Sequence, residues 1–325
     1  MNSSKDRLRG LQKYFKQTLF ISMCIFLIAT CNDRNADDNA KAAQDAVYEF
    51  PLLILKNHIE KLPLGRFIQY AEDAGGTMTL SEVTSDKNAA LWKKSDSDAP
   101  NFGFTGSTYW MKGEIKNDSS GDMKLLIELA FPLHDELEFY LSTDGSAMKT
   151  TTTGNLRPFS ERMFDSMNFV FQVDIPRDKK SIFYLKSKSE NSMQFPLTAW
   201  SPKRFAEEKS REYGYQFFYF GIVSVMILYN LFFSISVRNR GYIYYVLYVG
   251  SLALFQFGLT GLSSQYLWHE SPWLATKSIP FFIASTALWL CMFSRSFLDT
   301  VNVAPRFDAI SRAMAAVSLL LMLLS

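Results

Sequence analysis

From Gly214 to Val237 the chain reads GYQFFYFGIVSVMILYNLFFSISV, about 24 residues without a charged side chain. A helix of that length covers roughly 36 Å, enough to cross a ~30 Å hydrocarbon core with some tilt. Inside such a core each backbone N–H and C=O must be satisfied within the segment, so a run like this folds as a helix. Two further apolar runs follow, at 241–262 and at 278–298, the latter uncharged until Arg295. A fourth begins near Ala313 and occupies only about 13 residues (313–325), which reads as a partial span. The region 214–325 is therefore expected to be an all-α transmembrane domain.

Arginine and lysine set its orientation. Arg238 and Arg240 lie between the first two runs, and Arg295, Arg306 and Arg312 follow the third, whereas Lys277 is alone between the second and third. Positively charged loops stay on the cytoplasmic side, so residue 214 enters the membrane from outside. Arg238 and Arg240 are accordingly read as topology determinants. Asn230 places an amide within the first span, where polar side chains face other helices, either as part of a relay or as a plain interhelical hydrogen bond. Gly250, Gly258 and Gly261 would let helices approach closely.

The N-terminus agrees with export. Lys5, Arg7, Arg9, Lys13 and Lys16 precede the short apolar run TLFISMCIFLIAT, the pattern of a secretory signal segment over 1–31. The LIATC string resembles a lipoprotein signal in which Cys31 would be lipidated, although Thr30 departs from the usual small residue; an ordinary signal peptide or an uncleaved anchor stays open beside it. Residues 32–46 are too poor in apolar side chains to bury a core and read as a flexible tether.

Between 47 and 205 lies the exported domain. Its stretch 47–92 reads as a short strand or helix entry followed by loops. From about 102 to 200, alternating runs are broken by turn residues every 8 to 12 positions, the signature of antiparallel strands in a two-layer β-sandwich. Leu125, Ile127, Leu129 and Phe131 share one face, as do Leu137, Phe139 and Leu141, and Phe169, Phe171, Val173 and Ile175. Glu138 and Tyr140 point away. Trp110, Tyr140 and Trp200 fall on the polar phase of their strands and are the candidates for a ligand-binding platform; the competing reading makes them cover for a sheet edge or a membrane-proximal surface.

The chemistry excluded is as informative. A net charge of +2 gives no footprint for nucleic acid. Cys24, Cys31 and Cys291 leave 32–213 without cysteine, hence without a disulfide framework, and His58, His134 and His269 are too scattered for a metal site. Each histidine reads as a surface or turn residue. Asp135 and Glu136 read as a solvated loop, and no nucleophile motif accompanies the available Ser, His and Asp. No catalytic residue, metal or cofactor is expected, and the chain is read as a non-enzyme.

A family resemblance runs through the same residues. Pro63-Leu64-Gly65, Glu72-Asp73, FGFTGSTYWMKGEIKN (102–117), ELAFPLHDELEFYL (128–141), GNLRPFSER (154–162) and FPLTAWSP (195–202) resemble the extracellular module of the bacterial seven-transmembrane receptors with diverse intracellular signalling modules. The likeness continues through YFGIVSVMILYNLFFSISVRNRGYIYYVLY and LTGLSSQYLWHESPWLA, covering roughly 60–325. It implies a jelly-roll-like sandwich related to carbohydrate-binding folds, a small ligand with carbohydrate the suggested class, and a cytoplasmic signalling partner. It also implies about seven spans and an output module, so the chain reads as truncated: a fragment, a broken gene product or a shortened relative. The expected function is a multi-pass sensor in the bacterial inner membrane, its β-domain periplasmic, with membrane lipid among its partners. The alternatives are a membrane-anchored binding module serving a transporter and, third, a periplasmic glycan hydrolase.

Overall fold

The computed structural model describes residues 46–49 and 52–325. The signal segment, Cys31 and nearly all of the tether lie outside the described residues. Fourteen strands appear among those described. The 46–94 region holds β1 (Ala46–Glu49), β2 (Leu52–Leu55), β3 (Lys61–Pro63), β4 (Gln69–Asp73) and β5 (Lys93–Lys94), with a one-turn helix α1 (Leu80–Val83) between the last two. The 47–92 stretch, expected to be a short strand or helix entry followed by loops, thus supplies four strands, with β5 just beyond it. They escape a periodicity search because β2, β3 and β4 run for only three to five residues each. Next come β6 (Asn101–Phe104), β7 (Thr108–Asn117), β8 (Met123–Leu129), β9 (Glu136–Thr143) and β10 (Lys149–Thr153). The last four are β11 (Phe169–Ile175), β12 (Lys180–Lys188), β13 (Ser192–Gln194) and β14 (Leu197–Trp200).

They form two main sheets. The larger runs β1-β2-β7-β12-β9-β10, with β4 also on β7 and β5 on β4; the smaller runs β11-β8-β14-β3. Pairing is antiparallel except where β2 joins β7. The alternation seen in the sequence is the packing pattern: Leu125, Ile127 and Leu129 meet Leu137, Phe139, Phe171 and Val173 in one continuous core, and Phe139 stacks on Phe171 at 4.3 Å. Phe131 sits past the end of β8 and is only half-buried. At Gly113 a Cβ would stand 2.3 Å from the Phe183 ring, so the missing side chain is what lets that ring cross the neighbouring strand.

The helical half begins without a loop. Ser201 caps α2 (Pro202–Val237) by accepting a hydrogen bond from Arg204 N at 3.3 Å, with Pro202 in the first turn, where its missing N–H costs nothing. At 36 residues α2 is about 54 Å long, so its charged first three turns stand clear of a bilayer that its apolar remainder spans. Then follow α3 (Arg240–Leu259), α4 (Leu262–Tyr266), α5 (Pro272–Leu298), α6 (Thr300–Val303) and α7 (Pro305–Leu324). Helices α2, α3, α5 and α7 are each long and apolar enough to cross a membrane, and each packs on the next. The fourth run therefore starts at Pro305 rather than near residue 313. Its first turns carry Arg306, Asp308 and Arg312, which hid them from a reading that looked for uncharged text.

Candidate functional site

Two places join the sandwich to the helices. At the first, β8 breaks the alternation rule: both Leu126 and Glu128, on its outward phase, are buried. The first turns of α2 cover them, and Leu126, Val170, Trp200 and Phe205 form a small separate core. Glu128, 2 % exposed, accepts from Asn168 Nδ2 at 2.6 Å and from Trp200 Nε1 at 3.0 Å, and pairs with Lys209 Nζ at 2.5 Å. Lys209 also reaches Glu212 at 2.5 Å. A buried carboxylate is tolerated only when paired and hydrogen-bonded, and here the partner cation comes from the membrane helix.

At the second, the loop between α3 and α5 docks on residues 154–168 of the sandwich. Tyr213 of α2 accepts from Met167 N at 3.1 Å and donates to Gln265 Oε1 at 2.9 Å, while Gln265 Nε2 donates to Asp165 at 2.9 Å. Phe159 N donates to the His269 carbonyl at 2.8 Å, and the two rings lie 5.0 Å apart. Gly261, at φ +81°, approaches so closely that a Cβ would meet the Met167 carbonyl and Pro132, both at 2.7 Å. Its spacing suggested helix packing; its place is the interdomain contact. Gly258 is the glycine pressed against a helix, at Ile279, whereas Gly250 has open space beside it.

A cleft of about 380 Å³ opens between the edge of the large sheet at β9 and β10 and the edge of the small sheet at β11. Phe139, Leu141, Phe171 and Met163 give it apolar walls, and Thr143, Thr151, Lys149 and Asp174 supply polar groups. None of its residues was singled out by sequence as a ligand contact, Phe139, Leu141 and Phe171 being read only as core-face positions, because strand periodicity does not reveal which edges are left open.

The sequence candidates lie elsewhere. Trp110 is fully buried under Trp92, Met78 and Leu80, and stacks with Tyr140 at 6.0 Å; Lys186 Nζ lies 5.3 Å from the Trp110 ring. Tyr140 is half-buried and donates to Glu138; burial, then that carboxylate, raise its phenol pKa well above the ordinary value. Trp200, 5 % exposed, serves the contact with α2. All three are on outward faces, but Trp110 and Trp200 are covered and Tyr140 is half-buried against Trp110, so the three form no open aromatic platform. Asn230 is buried and donates to Met226 O at 2.8 Å, one turn back on its own helix. Arg238 ends α2 in the left-handed region at φ 52°, and Asn239 caps α3 by accepting from Gly241 N at 2.8 Å; Arg238 and Arg240 are both exposed.

Two polar readings require correction. His134 is not a surface residue: it is fully buried, with Nε2 2.7 Å from the Gln194 carbonyl and Nδ1 2.8 Å from Ser187 Oγ, and burial pulls its pKa down to about 4. Neither Ser187 nor His134 is open to a substrate. Asp135 is buried rather than solvated, accepting from Ser189 Oγ at 2.8 Å and Glu190 N at 2.7 Å to pin the 189–191 turn. Among the described residues no group of His, Cys, Asp or Glu is arranged to hold a metal. A further cluster escaped notice: Asp308, 3 % exposed, pairs with Arg295 at 2.7 Å and Arg312 at 3.0 Å and accepts from Thr300 at 3.0 Å. Arg295, counted only for topology, thus also ties α5 to α7, while Arg312 braces Asp308 from within α7.

Two family models match end to end: 7TMR-DISM extracellular 2 over residues 65–201, and 7TM diverse intracellular signalling over residues 212–325. The chain belongs to the seven-transmembrane receptors with diverse intracellular signalling modules. No curated protein matches it. Among solved structures, TmCBM61 in complex with β-1,4-galactotriose is similar at 8 % identity and a TM-score of 0.24, over 42 % of this chain and 91 % of that one. A GH115 4-O-methyl-α-glucuronidase with specificity for decorated arabinogalactans gives 16 % and 0.20, over 31 % of this chain and 14 % of that one. An exo-β-1,3-galactanase from Phanerochaete chrysosporium with galactose gives 11 % and 0.19, over 31 % and 25 %. Likenesses this slight carry no argument about what this receptor binds. The receptor is a membrane protein with an extracellular N-terminal β-sandwich, and the two contacts described above are where that domain meets its helices.

Proposed function

We propose that this chain is the sensing and transmitting part of a bacterial inner-membrane receptor: its periplasmic sandwich detects a small molecule and passes the change to the spanning helices, without catalysing a reaction. The observation that carries this reading is the unbroken α2, whose outer turns hold Lys209 against buried Glu128 and whose inner turns cross the membrane. A rigid helix clamped at one end transmits a displacement that a loose linker would absorb. This favours a sensor over an anchored module serving a transporter. In the same reading Arg238 and Arg240 keep the first hairpin cytoplasmic, Asn230 steadies the first span, and lipidation at Cys31 would add a second tie to the membrane. Trp110 and Tyr140 act as structural cover, and ligand recognition passes to the cleft. A signalling module on the cytoplasmic side is the partner that the family's description suggests.

The test perturbs the outside and reads the inside. With noncanonical fluorophore labels at Arg240 and Arg306 of the chain in nanodiscs, Lys209→Met should change the energy-transfer distribution between the cytoplasmic ends of α3 and α7. An unchanged distribution, with the sandwich still folded by circular dichroism, would refute the coupling.

A further inference from the structure

We infer that the cleft between the two sheet edges is a binding site for a small organic acid with a hydroxylated body, a sugar acid by class. The inference rests on the receptor reading and names the ligand chemistry within it. At about 380 Å³ the cleft lies toward the lower end of the ~300–1,000 Å³ typical of ligand pockets. Leu141 and Met163 offer its accessible apolar wall, with the stacked Phe139–Phe171 pair behind them in the core, and the hydroxyls of Thr143, Thr151 and Ser146 suit the ligand's own hydroxyls.

The charge preference comes from Arg162. A recess of about 10 Å³, room for about one water, shares Thr151, Met163 and Phe171 with the cleft and reaches this side chain, so the guanidinium must shift toward the cleft to meet a carboxylate there. Its guanidinium is held between the rings of Phe159, at 4.6 Å, and Phe169, at 4.3 Å, and Nη1 donates to the carbonyls of Ser166 and Met167 at 3.2 and 3.1 Å. Nε is shielded from solvent and has no acceptor. No carboxylate pairs with Arg162 among the described residues, and a desolvated cation without an anion is costly. Burial lowers its pKa to about 10, the direction expected when that anion is missing. Lys149, exposed at the mouth, adds a second positive charge. Asp174, the carboxylate among the described lining residues, accepts from the neutral Gln172 Nε2 at 3.1 and 2.9 Å and keeps its negative charge, so the anion preference rests on Arg162 together with Lys149. Arg–carboxylate pairing is bidentate and strong, so an incoming carboxylate would complete the site.

The position of Arg162 gives occupancy a consequence. The carbonyls it holds belong to Ser166 and Met167, and Met167 is the residue that meets Tyr213 through its N–H and Gly261 through its carbonyl. An anion that draws the guanidinium toward the cleft therefore pulls on the segment where α2 and the α3–α5 loop dock.

The test is calorimetric titration of the full chain in nanodiscs with D-galacturonate, D-glucuronate and D-gluconate against D-galactose and D-glucose. At least one acid should bind saturably below about 10 mM, and the matching neutral sugar about tenfold or more weaker. Lys149→Gln, a surface change with no fold to lose, should weaken the acid several-fold; Arg162→Gln should abolish the preference for it, and Arg162→Lys should restore part. Absence of binding by all three acids, equal binding of acid and neutral sugar, or indifference to both Gln variants would overturn the site. If an acid binds and the Arg240–Arg306 labels do not respond, the site stands and the relay fails. If no acid binds while Lys209→Met still moves the labels, the relay stands and the site fails.

Discussion

Replacing Lys209 by Met tests how the sandwich is held to its helix. The substitution keeps most of the apolar stem against Phe205 and deletes the ammonium 2.5 Å from Glu128. Glu128 is then left 2 % exposed with two neutral donors, Asn168 and Trp200. Breaking a buried ion pair from one side costs about 3–5 kcal/mol, and the surviving donors place the expected loss near the lower end, about 3 kcal/mol. Glu128→Gln costs less, about 1–2 kcal/mol, because Lys209 keeps Glu212 at 2.5 Å. The double variant leaves no charge stranded and should lose only about 1–2 kcal/mol, giving a coupling of roughly 2–4 kcal/mol. Pulse proteolysis of the nanodisc-embedded chain across a urea series measures all four forms. Additivity to within about 0.5 kcal/mol would refute the idea that this contact is a desolvated, mutually dependent pair.

Other outcomes follow from the same structure. His134 binds its proton with a folded pKa of about 4 against 6.5 unfolded, so the unfolded chain takes up the proton first as pH falls. Sandwich stability is then fully present above pH 6.5 and should fall by about 3 kcal/mol as pH drops from 6.5 to 4, a slope that His134→Gln removes in thermal melts. Gly261→Ala should raise hydrogen exchange across 262–271, since a Cβ there meets both Met167 and Pro132 at a positive φ. Trp110→Ala should cost about 3–5 kcal/mol of sandwich stability, the loss for a buried core aromatic; a loss of ligand affinity with full stability would restore it as a binding residue. Asp308→Asn should loosen the α5–α7 contact by leaving Arg295 without its charge partner, read as faster hydrogen exchange across 295–312.

Much of the architecture was legible because it follows from local periodicity and solvent. The 214–237 run could satisfy its backbone in lipid only as a helix, and the period-two sets of β8, β9 and β11 could bury their apolar side chains only against a second sheet. Glu128 shows where that reasoning stops. On its own strand it looks like the solvated phase, and only the arrival of α2, 81 positions along the chain from it at Lys209, makes it buried. Trp110 looks exposed by the same rule until α1 and Trp92 are laid over it. The cleft and the stranded Nε of Arg162 depend on which sheet edges remain uncovered, a property of neither strand alone. Burial of the inward faces is encoded in the alternation of each strand; burial of the outward faces, and with it the chemistry of the site, is set by contacts between segments far apart in the chain.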